Sequence, residues 1–576
     1  AELGQEYVEP RTEKERLLAK VWAEVLRVER VGVHDNFFEL GGDSILSVQI
    51  IARARVAGLH LTPKQIFQHH TIAELAAVAD GNSSIAAEQG SIKGQVPLTP
   101  IQHWFFEQQL PEPHHFNMAL MLGVPQTVDP ELLKQAVQEL VAHHDALRMR
   151  FTQDARGAWR QSAGETSGGA LFSLIDLKGV PEPEQKARIE EKAAQLQLDL
   201  DLSEGRLLHL ALFDVGAAGP ARLLFIIHHL AVDIVSWQIL LEDLQSLYEQ
   251  LSRGQAVSLP PKTTSFKEWS EKLSAYARSP ALRMELAHWL AEKRRHVARL
   301  PVDYRRGANL ESSVAHVNVS LGVEETQALL RDVPKVYNTQ ISDALLTALA
   351  HACAEWTGTR TVLFDLEGHG REALFDDVDL SRTVGWFTTI YPVVLDIEEG
   401  KSSGEALKSV KEQLRRIPHG GIGYGVARYL LGDAAIAEAL DSLPRAEMSF
   451  NYLGRLDRMT GRSAMFSGAS ESSGPLRNPQ TKRRYKIEIN GSVMGGALHV
   501  DWAFSESIHR RSTIEPVARN FIEALRTLIA HCAVSQTKVG PSEETAGRAA
   551  ADNGFKWSDA DLKNIAAAIN RVRGEA

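Results

Sequence analysis

Between residues 97 and 534, apolar runs of strand length alternate with amphipathic helical patterns, and this alternation confines the span to an α/β architecture. "ARLLFIIHHL" and "RTVLFDL" read as buried strands, whereas "PELLKQAVQELVAHH" spaces its apolar residues as a helix does. The span is too long for one compact core. Two lobes are therefore expected, with a boundary near 270–280.

Residues 12–80 read as a separate small helical unit. Thr12 and Glu15 form a capping box ahead of Leu18, Val21, Trp22, Val25 and Leu26. A second helix follows "FFELGGDS", with Ile45, Val48 and Ala52 on one stripe, and Pro63 and Thr71 open two shorter ones. Residues 81–96 have linker composition. The segment 535–576 begins as a second linker and closes on a short helix, where Ser558 and Asp561 precede Leu562, Ile565 and Ile569.

Charge and cysteine usage narrow the function class. The net charge of -10 is spread along the chain, which argues against a nucleic-acid surface. Cys353 and Cys532 stand far apart and in no ligand spacing, so a disulfide framework is not expected and a reducing cytoplasm fits. No apolar run approaches membrane-spanning length.

Three strings carry chemistry. In "LGGDSILSVQI", Ser44 stands at a helix start: either Ser44 or Asp43 is simply the cap, or Ser44 is held for attachment of an acidic group that a helix N-terminus favours. In "IIHHLAVDIVSW", His228 and His229 fall on opposite faces of a strand, so only one faces a site. No third ligand stands at a helical or hairpin offset, so no metal is expected. Asp233 is a helix cap or the charge partner of a buried arginine, with Arg148 and Arg206 as the options. In "EGHGRE", Glu367 is a loop carboxylate or an acid/base at a strand end, where Gly368 and Gly370 allow close approach of a substrate.

The run "DNFFELGGDSI" resembles the attachment motif of peptidyl carrier domains in nonribosomal peptide synthetases. The resemblance implies 4′-phosphopantetheine on Ser44, installed by a phosphopantetheinyl transferase. Asp43 is the variant typical of carriers that precede an epimerization domain. The His-His-x-x-x-Asp string resembles a motif shared by condensation and epimerization domains. "PLTPIQHWFF", "EGHGRE", "RTVGWFTTIYPV", "PHGGIGYG", "FNYLGR" and the Ser236–Trp237 extension are similar to the epimerization subfamily, in its order.

That resemblance implies a two-lobed fold like chloramphenicol acetyltransferase, with the site in a tunnel between lobes. It implies conversion of an L-aminoacyl or L-peptidyl thioester to an L/D mixture. His229 and Glu367 correspond to the catalytic pair, Asp233 belongs to the motif, and Asn451 and Tyr452 match residues near the site. Core packing is an equal reading for Tyr452. Ile234 departs from the glycine usual there: either the backbone is already helical at 234, or the tunnel is reshaped. Two rivals stay open, an amide-forming condensation domain and a docking unit whose site Ile234 blocks. "EYVEPRTE" resembles the segment after an adenylation domain, so an upstream adenylation domain is expected in a longer synthetase. The terminal helix at 558–571 resembles a docking element for the condensation domain of a downstream synthetase. The implied setting is antibiotic-type peptide biosynthesis.

Overall fold

The computed structural model of the chain describes residues 7–79, 87–165, 171–216, 219–398, 400–456 and 465–537. The terminal helix expected at 558–571 lies outside the described residues.

The N-terminal bundle consists of helices Glu13–Leu26, Ser44–Val56, Pro63–Gln68 and Ile72–Val78. Capping boxes at Thr12/Glu15, Thr62/Gln65 and Thr71/Glu74 start three of them, satisfying amides that would otherwise lack acceptors. Trp22, Phe37, Leu46, Ile50, Ile66 and Leu75 belong to its core. Val48 and Ala52 are also buried yet lie outside that core. They share a helix with Gln49, Arg53 and Arg55, which reach the second domain. Gln49 Nε2 donates to Gln238 Oε1 at 2.5 Å, Arg53 lies 3.4 Å from Glu242, and Arg55 pairs with Asp379. The stripe read from the sequence is thus the docked face of the bundle.

The larger domain holds two mixed sheets. The first orders its strands Ser467–Gly468, Asn117–Val124, Ala221–His228, Leu208–Asp214 and Phe172–Asp176. The second orders Thr389–Asp396, Thr361–Gly368, Met448–Arg455, Ile487–Met494, Ala497–Ser505 and Val314–Ser320. Asn117–Val124 and Ile487–Met494 are buried at every position, which is why they read as runs dominated by apolar and small residues. Strand Ser467–Gly468 pairs with Leu122 and Gly123 although it follows most of the second sheet in sequence, so the chain crosses back and ties the lobes. The range 270–280, where a boundary is expected from the sequence, takes in the second half of helix Phe266–Tyr276 and runs to the start of helix Pro280–Trp289. The end of the expected linker is structured: Gly94–Val96 forms an edge strand on Gln161–Ala163, and Ile92 is buried. Among the described residues, no helix is long and apolar enough to cross a membrane.

Candidate active site

Strand Ala221–His228 delivers the histidine pair, and a single 3-10 turn, His229–Ala231, separates their roles. His228 is fully buried. Its Nε2–H donates to the Pro113 carbonyl at 2.9 Å and its Nδ1 accepts from Leu230 N at 3.1 Å, which fixes a neutral tautomer. Burial pushes its pKa down to about 3. His229 lines a cavity of about 550 Å³. Its Nδ1–H donates to the Val232 carbonyl at 2.9 Å, which leaves the lone pair on Nε2. Trp386 stacks obliquely on it, ring centres 4.2 Å apart. His229 is the member of the pair that faces a cavity.

A depressed histidine binds its proton more weakly in the folded state than in the unfolded one. The stability His228 contributes is therefore complete above pH 6.5 and lost as pH falls toward 3. The expected slope is about 1.4 kcal/mol per pH unit below 6.5. Urea unfolding at pH 7, 6 and 5 checks this. His228→Leu should lower stability at pH 7 and flatten the slope; an unchanged slope would remove His228 as its source.

Glu367 lies one residue from the end of strand Thr361–Gly368, opposite Ile390, and lines the same cavity as His229. The turn after it needs glycine: at Gly370, φ is +68° and a Cβ would fall 1.7 Å from the Phe387 carbonyl oxygen. Asn451 and Tyr452 sit on strand Met448–Arg455 and line neither this cavity nor the one beside it. Ser449 and Phe450 pair in parallel with Asp365 and Leu366, so Asn451 and Glu367 occupy the next step of that ladder. Tyr452 packs against the core.

Asp233 lines neither cavity, and its expected partner is corrected. Arg148 is bound to Asp145, and Arg206 lies near Asp201. The buried arginine beside Asp233 is Arg371, whose Nη2 is 3.1 and 3.3 Å from the two carboxylate oxygens. The carboxylate also caps helix Ile234–Ser252 by accepting from Ser236 N at 2.7 Å, and accepts from Phe387 N at 3.1 Å. Asp233 joins the two lobes through Arg371 and Phe387.

Ile234 is the first residue of that helix, so its backbone is helical and the side chain meets no left-handed strain. It is half-buried, outside the walls of both cavities, and one and two turns before Gln238 and Glu242 on the carrier-facing side.

Several cavity residues escaped the sequence reading. Arg477, Lys482, Arg483 and Arg484 line the wall around His229 and Glu367, and Glu311 and Glu488 face them. Arg477 is 3.1 Å from Glu311, and Arg483 is 2.8 Å from Glu488. Burial pushes Glu311 up to about 7. The basic run 482–484 beside a fully buried strand was the one available signal. Glu311 offered none.

The sequence profile described as Condensation domain matches residues 92–546. The chain belongs to the condensation-domain family. A second profile, Phosphopantetheine attachment site, matches residues 16–79, and such a domain carries 4′-phosphopantetheine covalently on a serine. That span holds two serines, Ser44 and Ser47. Ser47 is buried and its Oγ donates to the Ser44 carbonyl at 2.7 Å, whereas Ser44 opens its helix behind the Asp43 cap and is half-buried. Ser44 therefore fits the group and Ser47 does not.

One of the proteins that make up the linear gramicidin synthase of Brevibacillus parabrevis is 49% identical over 97% of this chain and 7% of its own length. Chondramide synthase of Chondromyces crocatus is 46% identical over 93% of this chain and 14% of its own length. The chain spans 7 to 20% of the curated relatives it matches. The epimerization domain from the third module of tyrocidine synthetase B superposes with a TM-score of 0.72 at 38% identity, over 79% of this chain and all of that one. The first condensation domain of the calcium-dependent antibiotic synthetase shares the fold, with a TM-score of 0.58 at 19% identity, over 76% of this chain and 97% of that one. This chain is thus a carrier domain followed by a two-lobed condensation-type domain of the nonribosomal peptide synthetase class.

Proposed function

We propose that the chain epimerizes an acyl thioester held on its own carrier, with Ser44 as the attachment point. The observation that carries this reading is that His229 and Glu367 line one cavity. The bound phosphopantetheine supplies a thioester, which acidifies the Cα–H of the acyl residue. His229 Nε2 holds or returns one proton and Glu367 the other, on opposite faces of the Cα. Lys482 and Arg484, beside the Arg477–Glu311 and Arg483–Glu488 pairs, give the walls cations against the charge that develops on the carbonyl oxygen. The reading of a site blocked by Ile234 loses its basis, because Ile234 is not in those walls.

The domains that divide this work are 6–80 as carrier and 97–534 as epimerase, with an upstream adenylation domain and a downstream condensation domain as partners. The deciding experiment loads the holo chain with an L-acyl residue in deuterated water. Cα deuterium together with D product is expected. Amide formation with a second loaded carrier, without exchange, would replace this reading by condensation.

Delivery of the arm depends on the docked face. Arg55 and Asp379 are the more buried ion pair of that face, with side chains 18% and 12% exposed, against 40% each for Arg53 and Glu242. Arg55→Glu should slow exchange about tenfold, since like charges would then meet there. Adding Asp379→Arg should recover most of it. Failure of the swap to rescue would mean the contact does not guide the carrier.

A further inference from the structure

Residues 475–483 supply part of the wall of the cavity that holds His229 and Glu367. One end of this segment is bonded to the first sheet and the other to the turn that leads into the second. At the first end, Asn117 N donates to the Leu476 carbonyl at 3.0 Å and His115 Nε2–H to the Pro475 carbonyl at 2.7 Å. At the other, Glu311 N donates to the Thr481 carbonyl at 3.0 Å and Arg483 N to the Asn309 carbonyl at 2.8 Å, just ahead of strand Val314–Ser320. Between these anchors, Arg477 Nη1 donates to Glu311 Oε1 at 3.1 Å, and the guanidinium lies over Phe116, 4.2 Å from the ring centre.

Phe116 connects that cation to the imidazole. It packs at a tilt on His229, ring centres 5.6 Å apart, and its carbonyl accepts from His229 N at 2.9 Å. Trp386 meets both rings, 4.2 Å from His229 and 6.1 Å from Phe116, so His229 sits in a three-ring cluster that Arg477 covers on the Phe116 side. Glu311 is the anion bound to Arg477. Its side chain is 3% exposed, yet among the described residues Oε2 accepts no hydrogen bond. A carboxylate buried with a single donor is poorly compensated. Burial pushes it up to about 7, opposed by Arg477 and Arg483 and reinforced by Glu488. The pair therefore gains and loses its ionic character in the neutral range. The other charged or titratable groups that line the cavity are His229, Glu367, Lys482, Arg484 and Tyr485.

We infer that Glu311 is a positioning residue for His229: its carboxylate holds Arg477 on Phe116 and thereby fixes the imidazole that Phe116 and Trp386 enclose. The consequence for rate rests on the epimerase reading above.

The test compares the full holo chain with its Glu311→Gln form, each loaded on Ser44 with the same L-acyl residue in deuterated water. Glutamine copies the neutral acid, which burial already favours, so the variant should fold. Deuterium uptake at Cα should agree within about twofold at pH 6 and be about tenfold slower in the variant at pH 8, within the cost of a displaced catalytic group. Titration of His229 and Glu367 is common to both proteins and cancels in their ratio. A carboxyl that only ties the lobes together would give a ratio that does not change with pH. Proton NMR on the unloaded chain gives a readout independent of turnover. The Hε1 resonance of His229, identified by its loss in His229→Ala, should coincide in parent and Glu311→Gln at pH 6 and separate at pH 8, as Phe116 and Arg477 shift against the ring. Coincident resonances at pH 8, or a rate ratio constant with pH, would overturn the inference and leave the epimerase reading standing. Absence of exchange in the parent would overturn the epimerase reading, and the resonance alone would then decide this one.

Discussion

Glu367→Gln and His229→Ala should each cut inversion at Cα on the loaded carrier by about 10²- to 10⁴-fold, the range for loss of a positioned acid or base. Glutamine keeps the size of Glu367 and one acceptor oxygen but accepts no proton, so the loss would report chemistry and not collapse of the cavity. His229→Ala removes the Nε2 lone pair that the bond from Nδ1–H to Val232 directs away from the backbone. The two variants should differ with donor configuration. Where the two side chains serve opposite faces, an L donor and a D donor each lose washout in a different variant. Exchange within twofold of the parent in both would show that the cavity is not the site.

The elements that present these groups were legible because their signals are local. Strand Ala221–His228 is a nearly continuous apolar run, but the alternation that was expected to separate the histidines stops at His228, and the turn His229–Ala231 separates them instead. The start of the carrier helix was marked by its own glycines and cap. What stayed hidden is set by distance along the chain. Arg371 meets Asp233 across 138 residues, and nothing in either string announces the other. Glu311 reaches Arg477 across 166 residues from a turn with no motif, so a buried carboxyl in the cavity went unseen. Ile234 illustrates a different limit. The sequence showed only that glycine was missing; the helix start explains why a branched side chain is tolerated there.

The Asp233–Arg371 contact should carry the largest stability effect of any single pair near the site. Both side chains are buried, at 3% and 2% exposure. Removing one partner of such a pair leaves an uncompensated charge, at a cost of about 3–5 kcal/mol. Asp233→Ala should incur that loss in full. Arg371 would keep its bonds to the carbonyls of Leu380 and Thr383 but lose its anion, while Ser236 N and Phe387 N would lose their acceptor. Arg371→Met should cost less, because those two amides still solvate the Asp233 carboxylate. Chemical unfolding of both variants measures the difference. The same contact holds the lobes in register: Asp233 belongs to the strand-to-helix turn after His229, and Phe387 follows Trp386, which stacks on His229. Residual exchange in Asp233→Ala should therefore fall with an unchanged pH profile, since the proton carriers are displaced and not removed. A cost below about 1 kcal/mol, the worth of a surface ion pair, would show that the pair does not hold the lobes together.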